Sequence, residues 1–316
     1  MKPSLDTYAE LLIQGGIVAF PTETVYGLGA SAWNPLAIGR VFEAKKRPSD
    51  NPLIVHVSSV TMLNDFADET PENARLLMQK FWPGPLTLIF KKKNKVLDLI
   101  TAGLDTVAIR MPNHPVALRL IDLAGPLVAP SANTSGRPSP THPDHVRHDF
   151  GNSLPVIEGG QCDIGLESTV LDLTSAIPEI LRPGFITPKA ILEQTGINVV
   201  IADNKPDAIP KSPGLKYSHY SPDASVRWLL SGEIAENRDT MYLLHSNKTG
   251  VTPSRARIVH FYGDFRRMGR ELYDWFRKAD HEGFAHVVIE PLQGDDPDEL
   301  IVTLKNRIDK AAGTAS

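Results

Sequence analysis

Five segments of this chain concentrate small hydroxyl, amide and cationic side chains. Residues 21–31, PTETVYGLGAS, supply two threonines, a glutamate, a tyrosine and glycines that let backbone approach closely. Residues 43–57, EAKKRPSDNPLIVHV, set Lys45, Lys46 and Arg47 before a proline, with Ser49, Asp50 and Asn51 after it. Cations closing a helix are favoured by the helix dipole alone. Followed by amides in a loop, they can also hold a polyphosphate, an arginine matching its oxygens bidentately. In the apolar run 53–57, alternation puts His56 on the side of Ile54, away from Val55 and Val57, which suits either a core or a cleft. Residues 107–115, VAIRMPNHP, end an apolar run in Arg110, whose guanidinium needs an anion from the protein or from a ligand. Residues 129–141, APSANTSGRPSPT, make a long loop of a kind that compact domains seldom carry without use. The fifth segment joins Glu167, Ser168 and Thr169 to Arg182-Pro183-Gly184.

Other chemistries find little support. Ser168 stands outside a G-x-S-x-G elbow, and Gly27 and Gly29 make no G-x-G-x-x-G fingerprint. His142, His145 and His148 read as one side of an exposed helix beginning at Pro143, rather than as a metal site. A single cysteine, Cys162, excludes a disulfide framework and reads as a core residue. What emerges is an anionic, nucleotide-like ligand bound mainly by positioning.

The elements that must carry these segments alternate. Helical patterns fall at 5–14, 35–46, 72–80, 115–124 and 188–195, and strand-like runs at 17–20, 53–57, 86–90, 107–110, 127–129, 169–173 and 179–181. Interleaving argues for an α/β domain, and strands that follow one another without a helix argue for a mixed sheet. Residues 202–223 break the rhythm with prolines and the rings of Tyr217, His219 and Tyr220. Strands at 226–230, 241–244, 257–261 and 286–290 and helices at 265–278 and 298–311 then form a smaller α/β unit. The expected organisation is 1–201, a connector 202–223, and 224–316. The 316 residues, with 41% hydrophobic and 22% charged residues, are ordinary for a globular chain. Net charge is −4, and residues 1–200 hold 17 Lys+Arg against 20 Asp+Glu, which argues against a broad nucleic-acid surface. With no apolar run long enough for a bilayer and no signal-like start, a cytoplasmic protein without membrane partners is expected.

Taken together, PTETVYGLG, KKRPSDNPL, AIRMPNHP, APSANTSGRPSPT and ESTVLDL resemble the YrdC-like family. The tract SPGLKYSHYSP at 212–222 is similar to the linker of its two-domain L-threonylcarbamoyladenylate synthase branch. Leu215 stands where that linker usually carries methionine. The resemblance implies a twisted mixed sheet around a large cavity, with a smaller Rossmann-like C-terminal domain. It implies synthesis of threonylcarbamoyl-AMP and pyrophosphate from L-threonine, bicarbonate or CO2, and ATP, with Mg2+ riding on the phosphates. The product would pass to a separate transferase that modifies tRNA.

By the same resemblance, Thr24, His56, Arg110, Ser131 and Ser168 would hold threonine. Lys45, Arg47, Asn51, Thr106, Asn133, Thr141 and Arg182 would hold the nucleotide, Lys45 and Arg47 also serving catalysis. Tyr217, His219 and Tyr220 would close over the mouth beside ATP. No side chain is expected as an essential general base, because a free amine attacks CO2 unaided. Two alternatives are a non-catalytic RNA-binding module, which the charge disfavours, and carbamoyl-phosphate chemistry, whose relatives carry zinc-finger cysteines absent here.

Overall fold

The computed structural model describes residues 3–202, 220–230, 239–246, 257–296 and 299–313. The chain divides into two compact units. One comprises Met1–Ser135 and Ser139–Tyr217, the other Gly136–Pro138 and Ser218–Ser316.

The first unit is built on a nine-stranded mixed sheet. Its strands are β1 (Val18–Phe20), β2 (Gly27–Ser31), β3 (Ile54–His56), β4 (Leu86–Lys91), β5 (Thr106–Arg110), β6 (Leu127–Val128), β7 (Thr169–Asp172), β8 (Glu179–Arg182) and β9 (Val200–Ile201). Their spatial order is β1-β2-β6-β3-β5-β4-β7-β8-β9. β3/β5, β4/β7 and β8/β9 run parallel and the remaining neighbours antiparallel. Helix starts follow local chemistry: Asn34 caps Pro35–Lys45 by accepting from the Leu36 and Ala37 amides, and Thr187 caps Pro188–Thr195. Period-2 alternation then sorts the central strands. Val55, Leu88, Ile109 and Leu171 join the main core with Ile38, Val41 and Leu77, while Ile54, Ile89, Ala108 and Val170 form a separate small cluster.

One expectation is corrected. Residues 27–31, read as the end of a loop, form β2, which pairs with β1 through Val18↔Gly29 and Phe20↔Gly27. Its G-L-G-A-S composition carries no strand pattern. The glycines are needed by a partner: a Cβ at Gly29 would stand 2.9 Å from the Phe20 ring.

The second unit has a four-stranded, all-parallel sheet: β10 (Ser225–Trp228), β11 (Thr240–Leu244), β12 (Arg257–His260) and β13 (His286–Ile289), ordered β10-β13-β11-β12. Helices Phe265–Glu282 and Leu300–Ala311 accompany it. The first of these runs past its expected end at residue 278 and stops at the left-handed Gly283. Among the described residues, no helix is long and apolar enough to cross a membrane.

Candidate active site

Strand pairing assembles a row of polar side chains from segments far apart in sequence. His56 on β3 is the register partner of Arg110 on β5, Arg110 of Thr87 on β4, and Thr87 of Val170 on β7. Directly paired residues share a face. His56, Arg110 and Thr87 therefore continue the side that carries Ile54, Ala108 and Ile89, opposite the main core.

Arg110 is buried, and its guanidinium is well engaged. Nε donates to the Gly84 carbonyl at 3.2 Å and Nη1 to Thr24 Oγ1 at 2.9 Å, while Nη2 lies 2.7 Å from Glu23 Oε1. Thr24 is steadied in turn by Thr22, whose hydroxyl is 2.9 Å away and donates to the Val25 carbonyl. His56 packs edge-on to Phe20, with Nδ1 3.2 Å from the Ile54 carbonyl. A carbonyl can only accept, so Nδ1 carries the hydrogen and Nε2 is an acceptor. Burial, reinforced by the positive charge of Arg110, lowers the His56 pKa to about 3 and keeps the ring neutral.

Across the row, Ser168 Oγ lies 2.7 Å from Thr87 Oγ1 and accepts from Arg182 Nη2 at 3.1 Å. Arg182 also grips the Ser168 carbonyl through Nε at 3.2 Å and Nη2 at 3.0 Å. The Pro183-Gly184 turn lies against this corner so closely that a Cβ on Gly184 would meet the Thr169 nitrogen at 2.3 Å.

The long Ser/Asn/Pro loop is held from two sides. Lys45, buried at the end of its helix, donates through Nζ to the Ser131 carbonyl at 2.6 Å and the Asn133 carbonyl at 2.5 Å. The Tyr26 amide donates to the Pro140 carbonyl, and the Ala132 amide to that of Tyr26. The buried Ser139 hydroxyl donates to Glu167 Oε1 at 2.5 Å, tying the loop to the segment before Ser168. Thr141, fully buried, donates its amide to His145 Nδ1 at 3.2 Å. Nearby in sequence, Arg47 Nη2 donates to the Pro52 carbonyl at 3.1 Å, and the buried Asn51 has an Oδ1 with no hydrogen-bond partner among the described residues.

Thr24, His56, Arg110, Ser168 and Arg182 are thus linked through direct contacts or strand register, and Lys45, Ser131 and Asn133 through the loop. Thr106 is set apart: it opens β5, roughly 13 Å along the strand from Arg110 at ~3.3 Å per residue. Tyr217 and His219 lie outside the described residues. Tyr220 is buried in the second unit, stacked 5.3 Å from the Tyr273 ring with the Arg307 guanidinium 5.2 Å from its own. Sequence reasoning assigned no site role to Glu23, Thr87, Ser139 or Glu167. Thr87 did leave a signal, as the lone polar residue in Leu-Thr-Leu-Ile-Phe. Of the three histidines, His142 caps the helix Pro143–Phe150 and His145 serves Thr141. Cys162 is a buried core residue whose thiol pKa is raised by burial.

Comparison with known proteins shows the family. The Sua5/YciO/YrdC family profile, described as "Telomere recombination", matches residues 10–184. A second profile, "Threonylcarbamoyl-AMP synthase, C-terminal domain", matches residues 186–313. The threonylcarbamoyl-AMP synthase of Bacillus subtilis is 42% identical over 98% of this chain and 93% of its own, and that of Pyrococcus abyssi is 42% identical over 96% and 93%. A solved structure described as P. abyssi Sua5 complexed with L-threonine superposes with a TM-score of 0.88 at 37% identity, covering 98% of this chain and 94% of that one. On both sequence and architecture, the chain belongs to the Sua5/YciO/YrdC family.

Proposed function

We propose that this chain is an L-threonylcarbamoyladenylate synthase, joining L-threonine, bicarbonate or CO2, and ATP into threonylcarbamoyl-AMP with release of pyrophosphate. The observation that carries the reading is the near-full-length likeness to a structure complexed with L-threonine. The residue chemistry agrees with it. Arg110, between the Thr24 hydroxyl and the neutral His56, suits an amino-acid carboxylate, with Thr24, His56, Ser131 and Ser168 supplying hydrogen bonds to the rest of threonine. A site built to pair a hydroxyl rejects analogues that lack one strongly, because its own buried groups are then left unpaired.

The amine of the held threonine attacks CO2, and the resulting carbamate attacks the α-phosphorus as pyrophosphate departs. Arg47, Asn51, Asn133, Thr141 and Arg182 position the nucleotide in this scheme. Lys45 shapes the loop beneath the nucleotide and adds positive charge, favouring the alignment of two anions that repel one another. The resemblance also gives the nucleotide Thr106, at the far end of β5, and Tyr217 and His219, which lie outside the described residues, whereas Tyr220 is packed against Tyr273. Mg2+ would ride on the triphosphate, with few direct protein ligands, and neutralise charge there. A separate transferase would move the product's acyl group to tRNA. The test is incubation with ATP, L-threonine and bicarbonate. Threonine-dependent pyrophosphate release is expected, and its absence at every magnesium concentration would overturn the reading.

A further inference from the structure

Among the described residues, Glu23 is the one buried carboxylate within ion-pair distance of Arg110, and nothing above gives it a task. It is 4% exposed, in the loop between β1 and β2, between the two threonines that brace one another. Its Oε1 lies 2.7 Å from Arg110 Nη2. The contact is misaligned for hydrogen bonding: Glu23 Oε1, Glu23 Oε2 and Arg110 Nη2 are all solvent-inaccessible, and none has a hydrogen-bond partner among the described residues.

A buried ion pair offsets its desolvation only when hydrogen bonds use up its remaining donors and acceptors. As a mere structural brace for Arg110, Glu23 would be expected to meet Nη2 along an N–H bond. It instead presents unused acceptor capacity next to an unused donor. Each missing hydrogen bond costs free energy that the fold alone does not recover. The unmet demands are also opposite in kind and a few ångströms apart: a donor wants an anion, and two acceptors want a donor. An α-amino acid carries a carboxylate and an ammonium at that same separation. Resting on the synthase reading above, the geometry points to Glu23 as the residue that receives the α-amino group of threonine, while Arg110 Nη2 takes the carboxylate. The two side chains together read the zwitterion, and Thr24, whose hydroxyl already accepts from Nη1, completes the setting. Glu23 is then a specificity-determining residue that favours amino acids over hydroxy acids.

The experiment measures binding of L-threonine, of (R)-3-hydroxybutanoate, which keeps the carboxylate and hydroxyl but lacks the amine, and of ATP, to the full chain by calorimetry. The wild-type protein is expected to prefer L-threonine by at least about 30-fold, the scale of a hydrogen bond to a charged group. Glu23→Gln is expected to erase that preference, weakening L-threonine about 30-fold while the des-amino analogue binds as before or better and ATP binding stays. Equal weakening of both acids would make Glu23 a brace for Arg110 and overturn the inference. So would unchanged L-threonine binding in the variant. Should the variant not fold, the wild-type comparison alone decides: equal affinity for the two acids overturns the inference while leaving the synthase reading intact. A folded wild-type protein that binds neither acid overturns both.

Discussion

The central strands of the nine-stranded sheet carry His56, Thr87 and Arg110 on one face, with Ser168 and Arg182 beside them. The four-stranded sheet runs Met241, Tyr242, Leu243 and Leu244 through its middle, flanked by Val287, Val288 and Ile289, all buried. It too buries a cation, Arg307, but that guanidinium lies over the Tyr220 ring, and its Nη1 donates to Asn306 Oδ1 at 2.6 Å. Arg110 instead faces a carboxylate it does not hydrogen-bond. Burial of charge is thus common to both units and by itself marks no site. Unspent hydrogen-bonding capacity occurs in the second unit too, at His260 Nδ1; the informative difference is that at Arg110 and Glu23 an unused donor and unused acceptors stand side by side.

Three substitutions or conditions probe that contrast. Arg110→Ala should have the largest effect. It strands Glu23 as an unpaired buried charge, costing about 3–5 kcal/mol of stability, and abolishes measurable L-threonine binding while a folded remainder still binds ATP. Loss of ATP binding to the same degree would mean that the whole pocket had collapsed, and the contrast between the units would lose its meaning. Leu243→Ala, in the second sheet, opens a cavity at a fully buried position and should cost about 3 kcal/mol. The protein that remains folded should bind threonine with unchanged affinity. A threonine defect there would show that the apolar sheet is not merely scaffold.

The smallest effect is on pH dependence. The folded-state pKa of His56 lies near 3, below its unfolded value of about 6.5. The unfolded chain therefore binds the extra proton, and the stability tied to a neutral His56 is complete above pH 6.5 and declines as pH falls towards 3. Between pH 7.5 and pH 5 this amounts to about 2 kcal/mol. Urea unfolding at the two pH values should show that loss, and His56→Gln should reduce it. An equal decline in the variant would assign the acid sensitivity to other groups.

Much of the scaffold was legible because its causes are local. Asn34 before Pro35, Pro115 opening a helix and the Gly196 stop are each decided by residues within a turn of one another. The side of the sheet on which His56 lies was also readable, since alternation is local. β2 was not, because its glycines answer to Phe20 on another strand. The pairing of Arg110 with Glu23 was invisible for a similar reason: no periodicity links positions 87 residues apart. Arg110 could be recognised as a cation in need of an anion, but only the folded chain says which anion stands beside it and how poorly the two are aligned. Resemblance to a family supplied the remaining site residues, and it assigned no role to Glu23.

The wide sequence spacing across the row has a consequence for how the protein is made. Thr24 and Arg110 are separated by 86 positions, and Thr87 and Ser168 by 81. A chain leaving the ribosome N-terminus first exposes Glu23 and Thr24 to water long before their arginine emerges, and Arg110 itself waits on strands still unsynthesised. A chain that ends before Arg182 lacks one end of this row of contacts, so the proposed site can be completed only after both Arg110 and Arg182 have emerged.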